Sequence, residues 1–220
     1  MHERTVALIG EDNFRKLQDS RVLIVGLGGV GGYVLESLVR CGVGTIGLCD
    51  FDIADDSNLN RQILVTKAGI GEKKTHLAKE RALSINPEVN LVVYDFRINP
   101  ENLSELELES WDFIADCIDD TKAKVALMKA CEGKIISCMG TGNKLDPFSF
   151  EITQIEKTQG DPLARSIRKN LRQEGVGNVS VLYSKESPVR ELNGPIPTIS
   201  YMPGVAGLEI SSYIIKKLLN

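Results

Sequence analysis

No apolar run in this 220-residue chain approaches the roughly 18–20 residues that a membrane-spanning helix needs. Residues 1–19 mix polar and apolar side chains and lack the hydrophobic block of a secretion signal. Both absences lead us to expect a soluble, cytoplasmic protein. Histidine occurs only as His2 and His76, which leaves little from which to build a histidine-based metal or catalytic centre. The five cysteines (Cys41, Cys49, Cys117, Cys131 and Cys138) include no C-x-x-C pair, and none follows residue 138. Free, buried thiols in a reducing compartment are therefore expected. Positive charge is also in deficit. At a net −4, the chain as a whole does not attract nucleic acid, and any contact with RNA needs a local basic patch.

Glycine, by contrast, is concentrated. Residues 22–25 are apolar and read as a buried parallel strand, and Gly26-Leu-Gly-Gly-Val-Gly31 then fits G-x-G-x-x-G. Residues 30–41 place Val30, Val34, Leu35, Leu38 and Cys41 on one helical face. Strand, glycine turn and helix make a phosphate cradle. Backbone without a Cβ approaches phosphate oxygens closely, and the helix N-terminus offers unpaired N–H groups and partial positive charge. Gly26, Gly28, Gly29 and Gly31 are the candidate cradle residues. The motif alone admits NAD, FAD or ATP.

The alternation continues. Strands are expected over 45–50, 89–94, 111–118 and 134–139, with helices over 72–86 and 121–131 and a short helix from Asn99 to about 108. One or two short helices precede the first strand, within 3–18. After residue 139 the pattern changes to a strand over 148–155, a helix that Asp161-Pro162 opens and Gly175 closes, a strand over 179–183 and a closing helix over 204–219. This predicts an α/β, Rossmann-like, doubly wound sheet, mainly parallel and extended by antiparallel strands in the C-terminal part. Residues 1–220 read as a single domain, with a nucleotide-binding core over 20–140 and a substrate-side extension over 141–220.

Polar residues gather after the first, second and fourth strands. That is the carboxyl edge, where open parallel sheets bind ligands. Asp50, about 20 residues beyond the glycine turn, suits ribose hydroxyls. Arg61 and Lys74 can neutralise a triphosphate, Asn58 and Gln62 can donate to phosphate oxygens or hold the loop, and Asp119 can carry Mg²⁺. One carboxylate for a metal, with Arg and Lys for phosphates, suits ATP better than a nicotinamide dinucleotide. Nothing after residue 140 supplies a recognisable acid or base for hydride transfer.

These pieces resemble the adenylating domain of the ubiquitin-activating superfamily in its bacterial branch, the ThiF, MoeB and HesA type. The matching residues are Gly26-Leu-Gly-Gly-Val-Gly31, Asp50-Phe-Asp52, Ser57-Asn-Leu-Asn-Arg-Gln62, Gly71 with Lys74, Ile85-Asn-Pro87 and Asp116-Cys-Ile-Asp-Asp120. They cover about residues 20–140, and S-N-L-x-R-Q is a specific run. The resemblance implies that Asp50 and Asp52 belong to the ATP site, that Asn58, Arg61 and Lys74 hold phosphates, and that Asp119 is the Mg²⁺ ligand. It implies a carboxylate attacking the α-phosphate of ATP, with Arg61, Lys74 and Asp119 as the catalytic set. It also implies a homodimer in which an N-terminal arginine, here Arg4, reaches the partner's ATP.

Two substrate classes compete. Activators of a ubiquitin-like carrier protein with a C-terminal Gly-Gly usually carry two C-x-x-C pairs and often a downstream cysteine; this chain has neither. The second half instead resembles the tRNA threonylcarbamoyladenosine dehydratases, through Leu145-Asp-Pro147, Lys157-Thr-Gln-Gly-Asp-Pro-Leu-Ala164, Val181-Leu-Tyr-Ser-Lys-Glu186 and Pro203-Gly. That resemblance implies adenylation of the threonyl carboxylate of a modified tRNA adenosine, followed by intramolecular ring closure. On physical grounds, the helix after Asp161 turns Leu163, Ile167 and Leu171 inward and Arg165, Arg168, Lys169 and Arg172 outward. With Lys157 these could form an RNA-binding strip. The chain departs from the subfamily in a shortened connection between the last strand and the closing helix, and in carrying Ser200-Tyr-Met-Pro203 where some members have a cysteine near the start of that helix.

Overall fold

The computed structural model describes residues 1–191 and 194–220. The core is one seven-stranded sheet. Its strands are β1 (Arg21–Val25), β2 (Thr45–Cys49), β3 (Asn90–Tyr94), β4 (Phe113–Asp116), β5 (Ile135–Cys138), β6 (Phe150–Gln154) and β7 (Ser180–Ser184), in the order β3-β2-β1-β4-β5-β7-β6. The order reverses between β1 and β4, which pair in parallel with Val22 opposite Phe113. A crevice therefore opens above the carboxyl ends of these two strands. The C-terminal extension is an antiparallel pair, β6 on β7, and its inner strand β7 runs parallel to β5.

Seven helices flank the sheet among the described residues: α1 (Glu3–Ile9), α2 (Glu11–Asp19), α3 (Gly31–Cys41), α4 (Lys74–Ile85), α5 (Thr121–Ala130), α6 (Pro162–Gln173) and α7 (Tyr201–Leu219). Apolar side chains of α3, α4 and α7 cover one face of the sheet and those of α5 and α6 the other. The central strands β1, β4 and β5 are buried on both sides, which is why they read as continuous apolar runs. The punctuation works as the sequence suggests. Gly42 ends α3 in the left-handed region at φ 91°, and Asp161 caps α6 through the Ala164 N–H with Pro162 next. The stripe of small residues on α7 packs inside the chain. A Cβ on Gly207 would lie 2.5 Å from the Val30 carbonyl oxygen, and one on Gly204 would meet the Tyr33 ring.

Two expectations change. The segment from Asn99 to 108 holds two 3₁₀ turns, Leu103–Leu106 and Leu108–Ser110, instead of a short helix. The Asn99 side chain takes the N–H groups of Glu101 and Asn102, the Asn102 amide reaches back to the Arg97 carbonyl, and Glu107 adopts a left-handed φ of 48°. These local bonds outcompete a helical ladder. The closing helix starts earlier than expected, at Tyr201. Pro203 sits in its first turn, where no intrahelical N–H is required.

Candidate nucleotide site

The crevice above β1 and β4 has a volume of about 360 Å³. Gly26, Gly28, Gly29, Asp50, Asp52, Asn58, Arg61, Gln62, Lys74 and Asp119 all line it. The loop between β2 and α4 folds over it and is tied down by side chains. Asp55 and Asn58 form a reciprocal capping box around the turn Asp56–Asn58. Asp50 accepts from the Leu27 N–H at 2.6 Å with one oxygen and from the Asp52 N–H at 2.8 Å with the other, so it joins the glycine turn to the loop. A carboxylate has further lone pairs, which leaves Asp50 able to accept from a ligand's hydroxyls.

The glycines divide the work. Gly26 has φ 93°, and a Cβ there would meet the Cys117 carbonyl oxygen at 2.8 Å. Gly31 lies outside the crevice lining; a Cβ there would fall 1.7 Å from the Gly26 carbonyl oxygen. It is the residue that lets α3 approach β1. A Cβ on Gly28 would meet only Gln62 Nε2, at 3.9 Å, so the space over Gly28 is open crevice.

Basic groups stand along one side. Lys74 is buried and donates to Asp52 Oδ2 at 2.7 Å. Arg61 Nη1 donates to the Ser57 carbonyl and to Asn60 Oδ1, each at 2.8 Å. Gln62 is buried, and its Oε1 has no partner among the described residues. Its Nε2 is the atom that stands over Gly28, so the amide donor already faces the crevice. Asp119 is exposed at the crevice wall. Beside it, Asp120 caps α5; the Ala123 N–H and the Arg97 guanidinium hold its carboxyl below the usual range. Among the described residues no cluster of three His, Cys, Asp or Glu forms a ready-made metal cage. A lone carboxylate is nonetheless the usual protein contribution to a Mg²⁺ that is otherwise held by water and phosphate.

Comparison with known proteins decides the family. The ThiF family model matches residues 2–220. The chain belongs to the ThiF family. It is 34% identical over 237 residues to the tRNA threonylcarbamoyladenosine dehydratase of Bacillus subtilis, covering 98% of this chain and 93% of that protein. A dehydratase of Saccharomyces cerevisiae is 32% identical over 98% of this chain and 57% of its own length. The crystal structure of Escherichia coli tRNA N6-threonylcarbamoyladenosine dehydratase, TcdA, in complex with ATP superposes with a TM-score of 0.93 at 30% identity, covering 98% and 92% of the two chains.

Part of the crevice of this ThiF-family member is lined by residues outside the sequence-predicted set. Arg97 lines it, with its guanidinium 5.1 Å from the centre of the Phe51 ring. Phe96, Ile98, Ile118 and Ala123 complete an apolar end. Thr141, Thr198 and Pro203 line the crevice as well. Phe51, Ile118 and Pro203 lie inside the motif pieces Asp50-Phe-Asp52, Asp116-Cys-Ile-Asp-Asp120 and Pro203-Gly; the others come from segments with no motif. Cys117 also lines the crevice, and burial pushes its thiol well above the ordinary value. Burial likewise raises the thiols of Cys49, Cys131 and Cys138 to about 12. None of these is poised as a thiolate nucleophile.

The expected RNA strip lies away from the crevice lining and divides in two. Arg168 Nη1 donates to Thr158 Oγ1 at 2.6 Å and to the Thr158 carbonyl at 2.8 Å, and Arg172 is paired with Glu156. Both are bound to their own chain. Lys157, Arg165 and Lys169 are exposed and have no carboxylate within salt-bridge distance among the described residues. Arg4 is exposed on α1, a helix with no buried residue, and does not line its own chain's crevice. No helix among the described residues is long and apolar enough to cross a membrane.

Proposed function

We propose that this chain uses ATP to adenylate the threonyl carboxylate of tRNA threonylcarbamoyladenosine and then releases AMP by intramolecular ring closure, a net loss of one water. The single observation that carries this reading is the crevice itself. A glycine cradle, the cations of Arg61, Lys74 and Arg97, and one free carboxylate share it, in a chain that is similar over nearly its whole length to dehydratases of this reaction.

ATP is a substrate here, and its α-phosphate becomes the electrophile for the carboxylate while pyrophosphate leaves. The residues then act as follows. Asp50 accepts from the ribose hydroxyls. Asn58, Gln62, Arg61 and Lys74 hold the phosphates, and the two cations oppose the charge that grows on them in the transition state. Asp119 would hold a Mg²⁺ ion, which would supply positive charge against the phosphates. Ring closure requires a nucleophile within the same modified nucleoside to be held near the activated carbonyl, so positioning replaces an enzyme thiol. The raised thiols and the lack of any cysteine after Cys138 support that choice over a carrier protein. Lys157, Arg165 and Lys169 are offered as phosphate contacts for tRNA. The protein works in the cytoplasm as a homodimer, with Arg4 directed to the partner's crevice.

The test is incubation with ATP, Mg²⁺ and tRNA bearing threonylcarbamoyladenosine, followed by nucleoside mass analysis. Loss of one water from the nucleoside is expected, and Asp119→Asn should remove it at unchanged fold. An unaltered nucleoside, together with pyrophosphate exchange that depends on a carrier protein ending in Gly-Gly, would overturn the reading.

A further inference from the structure

The segment 194–200 forms a strap that reaches the crevice lining at Thr198 and is fastened on two sides. On one side Asn143, buried and in the left-handed region at φ 58°, donates its N–H to the Pro197 carbonyl at 2.7 Å. Its side chain also exchanges bonds with the Arg190 backbone, donating at 2.8 Å and accepting at 3.2 Å. Gly142 lies directly beneath: a Cβ there would fall 2.4 Å from Ile196 Cγ2 and 3.3 Å from Thr198 Oγ1.

On the other side the fastening comes from the phosphate loop. Asn60 Nδ2 donates to the Thr198 carbonyl at 3.1 Å, and Asn60 Oδ1 accepts from Arg61 Nη1 at 2.8 Å. One amide therefore touches both the cation that faces the phosphates and the strap. Thr198, Thr141, Arg61 and Pro203 line the same crevice. A Cβ on Gly29 would meet Pro203 at 3.0 Å and the Arg61 side chain at 3.5 Å, so this end is the one nearest the glycine turn. The apolar end, with Phe96 and Ile98, is filled by other segments.

We propose that Asn60 is a positioning residue that couples nucleotide at Arg61 to the strap, and that the strap's Thr198 forms the wall against which the acyl substrate lies. When phosphates draw Arg61 into the crevice, the Asn60 amide moves or tightens with it and carries the Thr198 backbone along. A ligand that holds both states differently shifts the strap by that difference in interaction. The hydroxyls of Thr198 and Thr141 then face a substrate that itself carries polar groups beside its carboxylate. The proposal rests on the reading of the crevice as an ATP site.

Hydrogen exchange of the peptide covering 194–202, measured with and without saturating ATP and Mg²⁺ and without tRNA, tests the coupling. In the wild-type protein ATP should slow exchange there at least threefold. In Asn60→Ala, calorimetry should still detect ATP binding, and the ATP-dependent slowing should vanish. A structural role alone would loosen the strap in both conditions equally and keep the response to ATP. Equal protection of the variant, or no protection of the wild type despite ATP binding, would overturn the proposal. Because tRNA is absent, failure of the tRNA reading leaves this outcome intact, and absence of any ATP binding would sink both.

Discussion

Lys74 Nζ lies 2.7 Å from Asp52 Oδ2, the lysine buried and the carboxylate half exposed. The Lys74 N–H also donates to the Asp52 carbonyl at 3.0 Å, so both backbone and side chain join these residues across the loop. The carboxylate compensates a desolvated ammonium. Lys74→Ala should lower kcat for nucleoside dehydration by about 100-fold or more, the scale of losing one donor to developing charge. Steady-state kinetics with saturating ATP checks it, and a loss below tenfold would remove Lys74 from the catalytic set.

The glycines of the turn should respond in opposite ways. In Gly31→Ala the new methyl meets the Gly26 carbonyl oxygen at 1.7 Å, so α3 must move off β1 and thermal stability should fall sharply. In Gly28→Ala the methyl enters open crevice. That variant should melt near wild type and bind ATP at least tenfold more weakly. Melting curves together with calorimetry separate the two; a stable Gly31→Ala protein would contradict the packing described here.

Lys124 and Asp116 form an ion pair at 2.9 Å with both side chains fully buried, and Asp116 Oδ2 also accepts from Ser137 Oγ at 2.6 Å. Removing the cation alone strands a charge in the core. Lys124→Met should cost about 3–5 kcal/mol in urea unfolding. Lys124→Met with Asp116→Ala should be less damaging than the sum of the two single changes, since the pair interacts directly.

The cations of α6 should sort by their partners. Alanine at Lys157, Arg165 and Lys169 together should weaken tRNA binding and flatten its salt dependence, each lost phosphate contact lowering the slope by roughly 0.7–0.9, with stability unchanged. Arg168→Ala should instead destabilise the fold by about 1–2 kcal/mol, because it leaves Thr158 and its carbonyl without their donor. Filter binding across a salt series and urea unfolding give the two readouts. Unchanged tRNA affinity in the triple variant would return this surface to ordinary solvated charge.

The elements were legible because their signals are local. The apolar run over 22–25 marked β1, the Asp161-Pro162 pair marked a helix start, and the run from Ser57 to Gln62 marked the loop that folds over the crevice. The segment after Asn99 was misleading for an equally local reason: its asparagines suit a helix start and a string of side-chain turns alike, and only the side-chain-to-backbone bonds of the folded chain choose.

Periodicity and motif spacing in the sequence alone thus determined the sheet, its carboxyl edge, the glycine cradle and the acid and base types gathered there, since each depends on neighbours within a few turns of chain. The tertiary structure decided the rest. It bound Arg168 and Arg172 to their own chain and left Arg165 and Lys169 exposed. It added Arg97, Thr141 and Thr198 to the crevice, and buried Lys124 against Asp116. The Asn60–Thr198 bond spans 138 residues, and a contact of that range is set by how α7 packs on α3 and how β7 pairs with β5, for which a one-dimensional pattern carries no signal.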